Sequence, residues 1–188
     1  SYYFVMFVTP GPNNAMLTAS GIKFGFKRTL PHAFGIPFGH IIQITLVCFG
    51  LGSLFQKYPF IQVYLKWLCF FYLIYLGWKI LGSLSSNETE TGRPLNFYEA
   101  ALFQFINPKA WVVALTAATA FFPNEENFVI ATIFVAGTAP FICFPSICIW
   151  VLFGSSIKLL IKNSKIKKII EYLLALLLVI TAVIIVID

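Results

Sequence analysis

The chain has 188 residues, 59% hydrophobic and only 11% charged, with a formal net charge of +6 and a mean hydropathy of +0.86. Water-soluble domains carry about 25% charged residues, so this composition excludes one and points to a lipid environment. The basic excess does not argue for nucleic acid, because Lys and Arg of membrane proteins collect in cytoplasmic loops and set orientation.

A helix needs about 20 apolar residues to cross a bilayer. By that measure the chain is an all-α integral membrane protein with six transmembrane helices, expected over residues 2–22, 30–55, 60–81, 97–122, 128–152 and 169–187, the fifth able to run on to Leu160. Few apolar residues precede Pro10, so the first helix is expected to begin upstream of Ser1. The segment has neither a basic leader region nor a small-residue cleavage site, and does not read as a signal peptide.

The first span is interrupted by Thr9-Pro10-Gly11-Pro12-Asn13-Asn14. Two prolines remove backbone donors and the glycine loosens the turn between them. Lipid cannot satisfy the carbonyls freed there, so such a break persists only where protein or a water-lined cavity covers it. A broken helix offers a positive half-helix end to a carboxylate and unpaired carbonyls to an ammonium, and two amides add donors and acceptors. A zwitterionic amino acid presents both charges. Pro10, Gly11, Pro12, Asn13 and Asn14 are therefore candidate substrate-binding residues; a proline kink serving helix packing alone is the competing explanation.

The second span carries Gly35 and Gly39, whose small-xxx-small spacing lets a neighbouring helix approach closely. His32 and His40 lie on the same span, and each is expected to make an interhelical hydrogen bond rather than to move protons. Between the third and fourth spans, residues 83–94 are rich in Ser, Thr and Glu and cannot bury a core. They divide a single domain into half-repeats of about 1–86 and 94–188.

The fourth span holds Glu99, Gln104 and a second break, Asn107-Pro108-Lys109. Lys109 is the cation set well inside a predicted span, where a charge is costly unless it pairs or meets water. It could hold a substrate carboxylate or change protonation during a cycle; the alternative is a side chain that snorkels to an interface. The two breaks are expected to face each other and form a transport site. Beyond the fifth span, the basic run 158–168 reads as a cytoplasmic signal attracted to anionic lipid, and Glu125-Glu126 as a solvated external turn.

Orientation follows from the basic residues. Lys23, Lys27, Arg28, Lys79, Arg93, Lys158, Lys162, Lys165, Lys167 and Lys168, ten of the 13 Lys and Arg, flank the first, third and fifth connections. The positive-inside bias puts those connections in the cytoplasm and both termini outside. Three spans per half make the halves enter the membrane from opposite sides, which is a 3+3 inverted repeat if they share a fold.

Cys48, Cys69, Cys143 and Cys148 lie in apolar runs without metal spacing, and read as small hydrophobes in helix packing. No phosphate-binding glycine loop, paired intramembrane carboxylates or nucleophile elbow is present in the sequence, and no cofactor is expected.

Four motifs in register resemble the LysE/RhtB-type family of amino-acid exporters: Thr9-Pro10-Gly11-Pro12-Asn13, Gly35-x-x-x-Gly39, Tyr72-Leu73-Ile74-Tyr75-Leu76-Gly77-Trp78-Lys79-Ile80 and Phe105-Ile106-Asn107-Pro108-Lys109-Ala110. The resemblance covers nearly the whole chain. It implies a bacterial inner-membrane carrier with about six spans that exports amino acids or small derivatives by exchange for protons. The Thr-Pro-Gly-Pro-Asn-Asn version is most similar to the branch handling cysteine and O-acetylserine. By motif, Pro10, Gly11, Pro12 and Asn13 carry over as the first half of the pathway and Asn107, Pro108 and Lys109 as the second, with Gly35 and Gly39 beside them.

Two other functions fit the sequence less well. A metal-cation carrier needs several oxygen, imidazole or thiolate ligands, and the spans offer almost no carboxylates. A membrane-embedded enzyme needs a nucleophile–base pair or metal site at membrane depth, and none can be assembled. The expected partners are a small amino-acid substrate, protons and the bilayer, and a six-helix bundle accommodates a monomer or a homo-oligomer.

Overall fold

A computed structural model describes residues 2–81, 93–122, 127–160 and 164–187, and every regular element among them is helical. The first predicted span is two helices, α1 (Tyr2–Val8) and α2 (Pro12–Phe24). The second is α3 (Phe26–Leu46), followed by Val47–Leu51, kinked at Gly50 (φ +102°), and α4 (Gly52–Lys57). The third is α5 (Phe60–Ile80), and the fourth is again two helices, α6 (Phe97–Ile106) and α7 (Pro108–Ala120). Two long helices, α8 (Phe128–Leu160) and α9 (Ser164–Ile187), complete the bundle.

Both short second halves begin with proline. Pro12 and Pro108 occupy the first turns of α2 and α7, where the missing N–H would have no intrahelical partner anyway and the ring presets φ. The turn between α2 and α3 is made by Gly25 alone. Its φ of +83° is the left-handed conformation that a side chain would strain, and Phe26 already opens α3.

Among the described residues, four stretches are long and apolar enough to cross a membrane: 26–55, 60–80, 128–158 and 165–187. The first and fourth predicted spans do not exist as single helices, because the breaks end one helix and start another. The α9 helix begins at Ser164, before the predicted 169. Hydropathy marks the apolar part of a helix, whereas hydrogen bonding continues through Lys165, Lys167 and Lys168, which are good helix formers. Most of the 83–94 linker, Glu125-Glu126 and Lys162 lie outside the described residues.

The bundle is built on close backbone approaches. In α2 a β-carbon on Gly21 would stand 2.6 Å from the Val151 carbonyl oxygen of α8, and one on Gly154 would run into the Thr18 carbonyl. Gly35 and Gly39 do the same for α3 against α6: a β-carbon on Gly35 would collide with the Phe97 carbonyl, and one on Gly39 would lie 2.6 Å from the Ala101 oxygen. Leu17, Ile36, Val113, Ile147 and Val151 fill the centre between α2, α3, α7 and α8. Outward, the pattern is the inverse of a water-soluble protein. Phe71, Trp78 and Phe141 are exposed, Phe141 to 83%, while Asn14, Gln43, Gln104 and Asn107 are buried. A large exposed apolar surface around an interior that also holds polar side chains suits lipid as the outer solvent.

Candidate functional site

At the first break, each carbonyl that proline deprives of a donor is met by a side chain. Met6 O would normally accept from residue 10, which has no N–H; Thr9 Oγ1 donates to it at 3.1 Å and to Val5 O at 2.8 Å. Phe7 O accepts from Asn14 Nδ2 at 2.9 Å. Val8 O, which Pro12 cannot serve, accepts from the Trp150 indole at 3.2 Å. Thr9 O receives Asn14 Nδ2 at 2.7 Å, and Ala15 N–H then donates to Gly11 O at 3.0 Å, which starts α2. Unpaired carbonyls in apolar surroundings are costly, so these contacts allow the break to exist.

The second break is closed in the same way. Gln104 O loses its donor to Pro108 and instead accepts from Gln43 Nε2 of α3 at 2.8 Å. Phe105 O accepts from the Trp111 indole at 2.8 Å, while the N–H of Lys109 turns to Asn107 Oδ1 at 3.1 Å, making Asn107 the N-cap of α7. One tryptophan and one side-chain amide thus donate to freed carbonyls at each break.

The two breaks meet. Lys109 Nζ donates to Thr9 O at 2.8 Å, Thr9 Oγ1 at 2.9 Å and Pro10 O at 3.1 Å. Gly11 makes room for this reach, since a β-carbon there would stand 2.9 Å from Lys109 Cδ and 3.2 Å from Nζ. Asn13 and Gln104 pair by two amide hydrogen bonds. Pro10, Gly11, Pro12, Asn13, Asn14, Asn107, Pro108 and Lys109 thus form one cluster, in which Asn14 and Asn107 hold the backbone and Lys109 bridges the breaks. Gly35 and Gly39 lie beside it, against α6.

A cavity of about 20 Å³ sits at this junction, lined by Asn13, Asn14, His40, Asn107 and Lys109 among others. That volume holds about one water. Two larger recesses lie toward opposite helix ends. One of about 330 Å³ is lined by Ser20, Lys23, His32, Lys79, Arg93 and Glu99, and the other, of about 320 Å³, by Cys48, Ser53, Leu115, Thr119 and Phe128 among others. In the first recess Arg93 and Glu99 form a bidentate pair at 2.6 Å, and Asn96 and Glu99 close a reciprocal cap on α6. The carboxylate beside it pushes the Arg93 guanidinium further up from its ordinary pKa.

The histidines depart from expectation. Among the described residues neither ring nitrogen of His32 has a hydrogen-bond partner, and His40 Nδ1 has none either. His40 instead meets the edge of the Phe7 ring at 5.0 Å. The expected interhelical bonds therefore do not form at these atoms. Glu171 is buried within α9, 2% exposed.

Sequence reasoning missed Thr9, Gln43, Trp111 and Trp150 as donors to the breaks and Gln104 as partner of Asn13. One signal was present: Gln43 continues the four-residue spacing of Gly35 and Gly39, and so lies on the helix face turned to α6. Among the described residues no three His, Cys, Asp or Glu side chains cluster to hold a metal.

The chain matches the family description "LysE type translocator" over residues 4–188. It is also similar to the cysteine/O-acetylserine efflux proteins of Salmonella typhimurium (strain LT2) and Escherichia coli (strain K12), 30% identical to each over 122 residues. Each match covers 64% of this chain and 62% of the relative, so under two thirds of those proteins' own length is represented. No solved structure matches.

Proposed function

The chain belongs to the LysE type translocator family, and from that premise we propose that it is a secondary transporter that exports amino acids or small derivatives across the bacterial inner membrane by proton exchange. The substrates in view are cysteine, O-acetylserine, threonine, homoserine or another neutral amino acid. The observation that carries this is the contact of Lys109 with Thr9 and Pro10 where two broken helices meet. Half-helix ends, freed carbonyls and a cation at one point suit a zwitterion.

In this proposal the α1–α2 and α6–α7 pairs each make one crossing, for six spans in a 3+3 inverted repeat over about 1–86 and 94–188. Packing supports the repeat: α3 of the first half packs on the broken span of the second, α8 of the second packs on the broken span of the first, and α5 packs on α9. Odd-numbered connections face the cytoplasm and both termini lie outside. The recess with Lys23, Lys79 and Arg93 is then the cytoplasmic vestibule, the recess at Phe128 the external one, and the small junction cavity the closed gate between them. His32, His40 and Lys109 are the groups in or beside this pathway able to take part in proton coupling.

The test is efflux from cells that overproduce the chain, loaded with dipeptides of cysteine, threonine, homoserine, leucine and lysine. Faster efflux of at least one neutral amino acid is expected, and Pro12→Leu and Asn107→Leu variants shown to reach the membrane abolish it. Unchanged efflux of all of them by membrane-inserted protein, or undiminished efflux by both variants, overturns the proposal.

A further inference from the structure

We propose that Thr9 and Pro10 form a primary-ammonium subsite, filled in this closed state by the chain's own Lys109 and taken by the α-ammonium of the substrate when Lys109 withdraws. Only the identity of the incoming ligand rests on the amino-acid export reading.

An ammonium has three N–H donors, and the subsite has three acceptors: Thr9 O at 2.8 Å, Thr9 Oγ1 at 2.9 Å and Pro10 O at 3.1 Å from Lys109 Nζ. Both carbonyls are turned from the helical ladder by the break, and Asn14 Nδ2 pins Thr9 O in place. The oxygens are all uncharged, so the occupant supplies the local positive charge. Replacing one ammonium by another keeps that balance.

The lysine is suited to leave. Its stem is a flexible chain carrying a compact point charge, and it passes over Gly11 through space that any β-carbon would obstruct. While it is seated, the junction keeps only about 20 Å³, room for about one water and none for an amino acid. Withdrawal opens that space and frees the Lys109 charge to meet the substrate carboxylate as the substrate ammonium settles on Thr9 and Pro10. His40, whose Nδ1 is buried without a partner, lines the same cavity. Lys109 thus acts as a tethered competitor that seals the pathway when no substrate is bound.

The subsite is testable without transport. Lys109→Ala protein, purified in detergent, is heated with n-butylammonium chloride, with sodium chloride and with choline chloride at equal ionic strength. Butylammonium near saturation is expected to raise its Tm by about 3–6 °C, the other salts to have no such effect, and wild type, whose subsite is filled, to show none with any of them. A second route covers a variant that does not fold. Lys109→Cys, with the four native cysteines replaced by alanine, is treated with aminoethyl or trimethylammonioethyl methanethiosulfonate, each of which attaches its cation through a disulfide and releases methanesulfinate. The primary ammonium is expected to restore wild-type Tm and the quaternary one, which has no N–H, to fail. An equal response to sodium or choline, equal rescue by both adducts, or no response in either variant overturns the subsite. Because neither readout measures export, a wild type that exports amino acids while the Lys109 variants show neither response sinks the subsite alone. Butylammonium-specific stabilisation in a protein that exports none leaves the subsite standing and removes the amino acid.

Discussion

Asn13 and Gln104, 91 residues apart, exchange two hydrogen bonds: Asn13 Nδ2 donates to Gln104 Oε1 at 2.8 Å, and Gln104 Nε2 donates to Asn13 Oδ1 at 3.2 Å. The pair joins α2 to α6 directly beside the two breaks, and Gln104 is fully buried. Replacing either by leucine removes both bonds, at a cost of about 1–3 kcal/mol; Asn13→Leu leaves Gln104 Nε2 only Ala100 O. The Asn13→Leu/Gln104→Leu double variant is expected to lose less than the sum, with a coupling of about 0.5–3 kcal/mol. Unfolding in mild detergent measures it, and strict additivity would contradict the pairing.

The glycines separate into two kinds. Gly39→Ala puts a β-carbon 2.6 Å from the Ala101 oxygen and from Gln104 Cγ, so α3 and α6 must part; a loss of about 1–3 kcal/mol is expected. At Gly137 a β-carbon meets nothing within 4 Å. There Gly137→Ala brings only better helix propensity, a gain of about 0.5–1 kcal/mol. A matched pair of melting curves compares them, and similar shifts for both would refute the packing account.

The indoles at the breaks act through their N–H groups. Trp111→Phe and Trp150→Phe leave Phe105 O and Val8 O without those donors, each costing about 1–3 kcal/mol. Trp67→Phe alters a ring that is 44% exposed on the outer face and is expected to change stability by less than about 0.5 kcal/mol. Ranking the three variants by Tm checks the accounting; an equal effect at all three positions would count against it.

Orientation is open to labelling. With the native cysteines replaced, Tyr58→Cys is expected to react with an impermeant maleimide in intact cells, and Lys27→Cys only after the membrane is opened. The reverse pattern would invert the topology drawn from the basic residues.

Composition and order in the sequence were sufficient for the helical class, the interruptions at Pro10–Pro12 and Pro108, and the residues gathered around them. These follow from local chemistry, because proline lacks a donor wherever the chain folds and lipid tolerates few polar groups. They also located Gly35 and Gly39, since small residues four apart mark one helix face. Only the tertiary structure decided which donors replace the missing ones. Trp150 serves Val8 from 142 residues away, Gln43 serves Gln104 from another helix, and Lys109 crosses 100 residues to Thr9. Such partners are chosen by distance after packing, and hydropathy carries no record of it. The histidines show the same limit: their ring nitrogens are polar in any sequence, and whether a donor or a phenylalanine edge faces them depends on the helix that arrives.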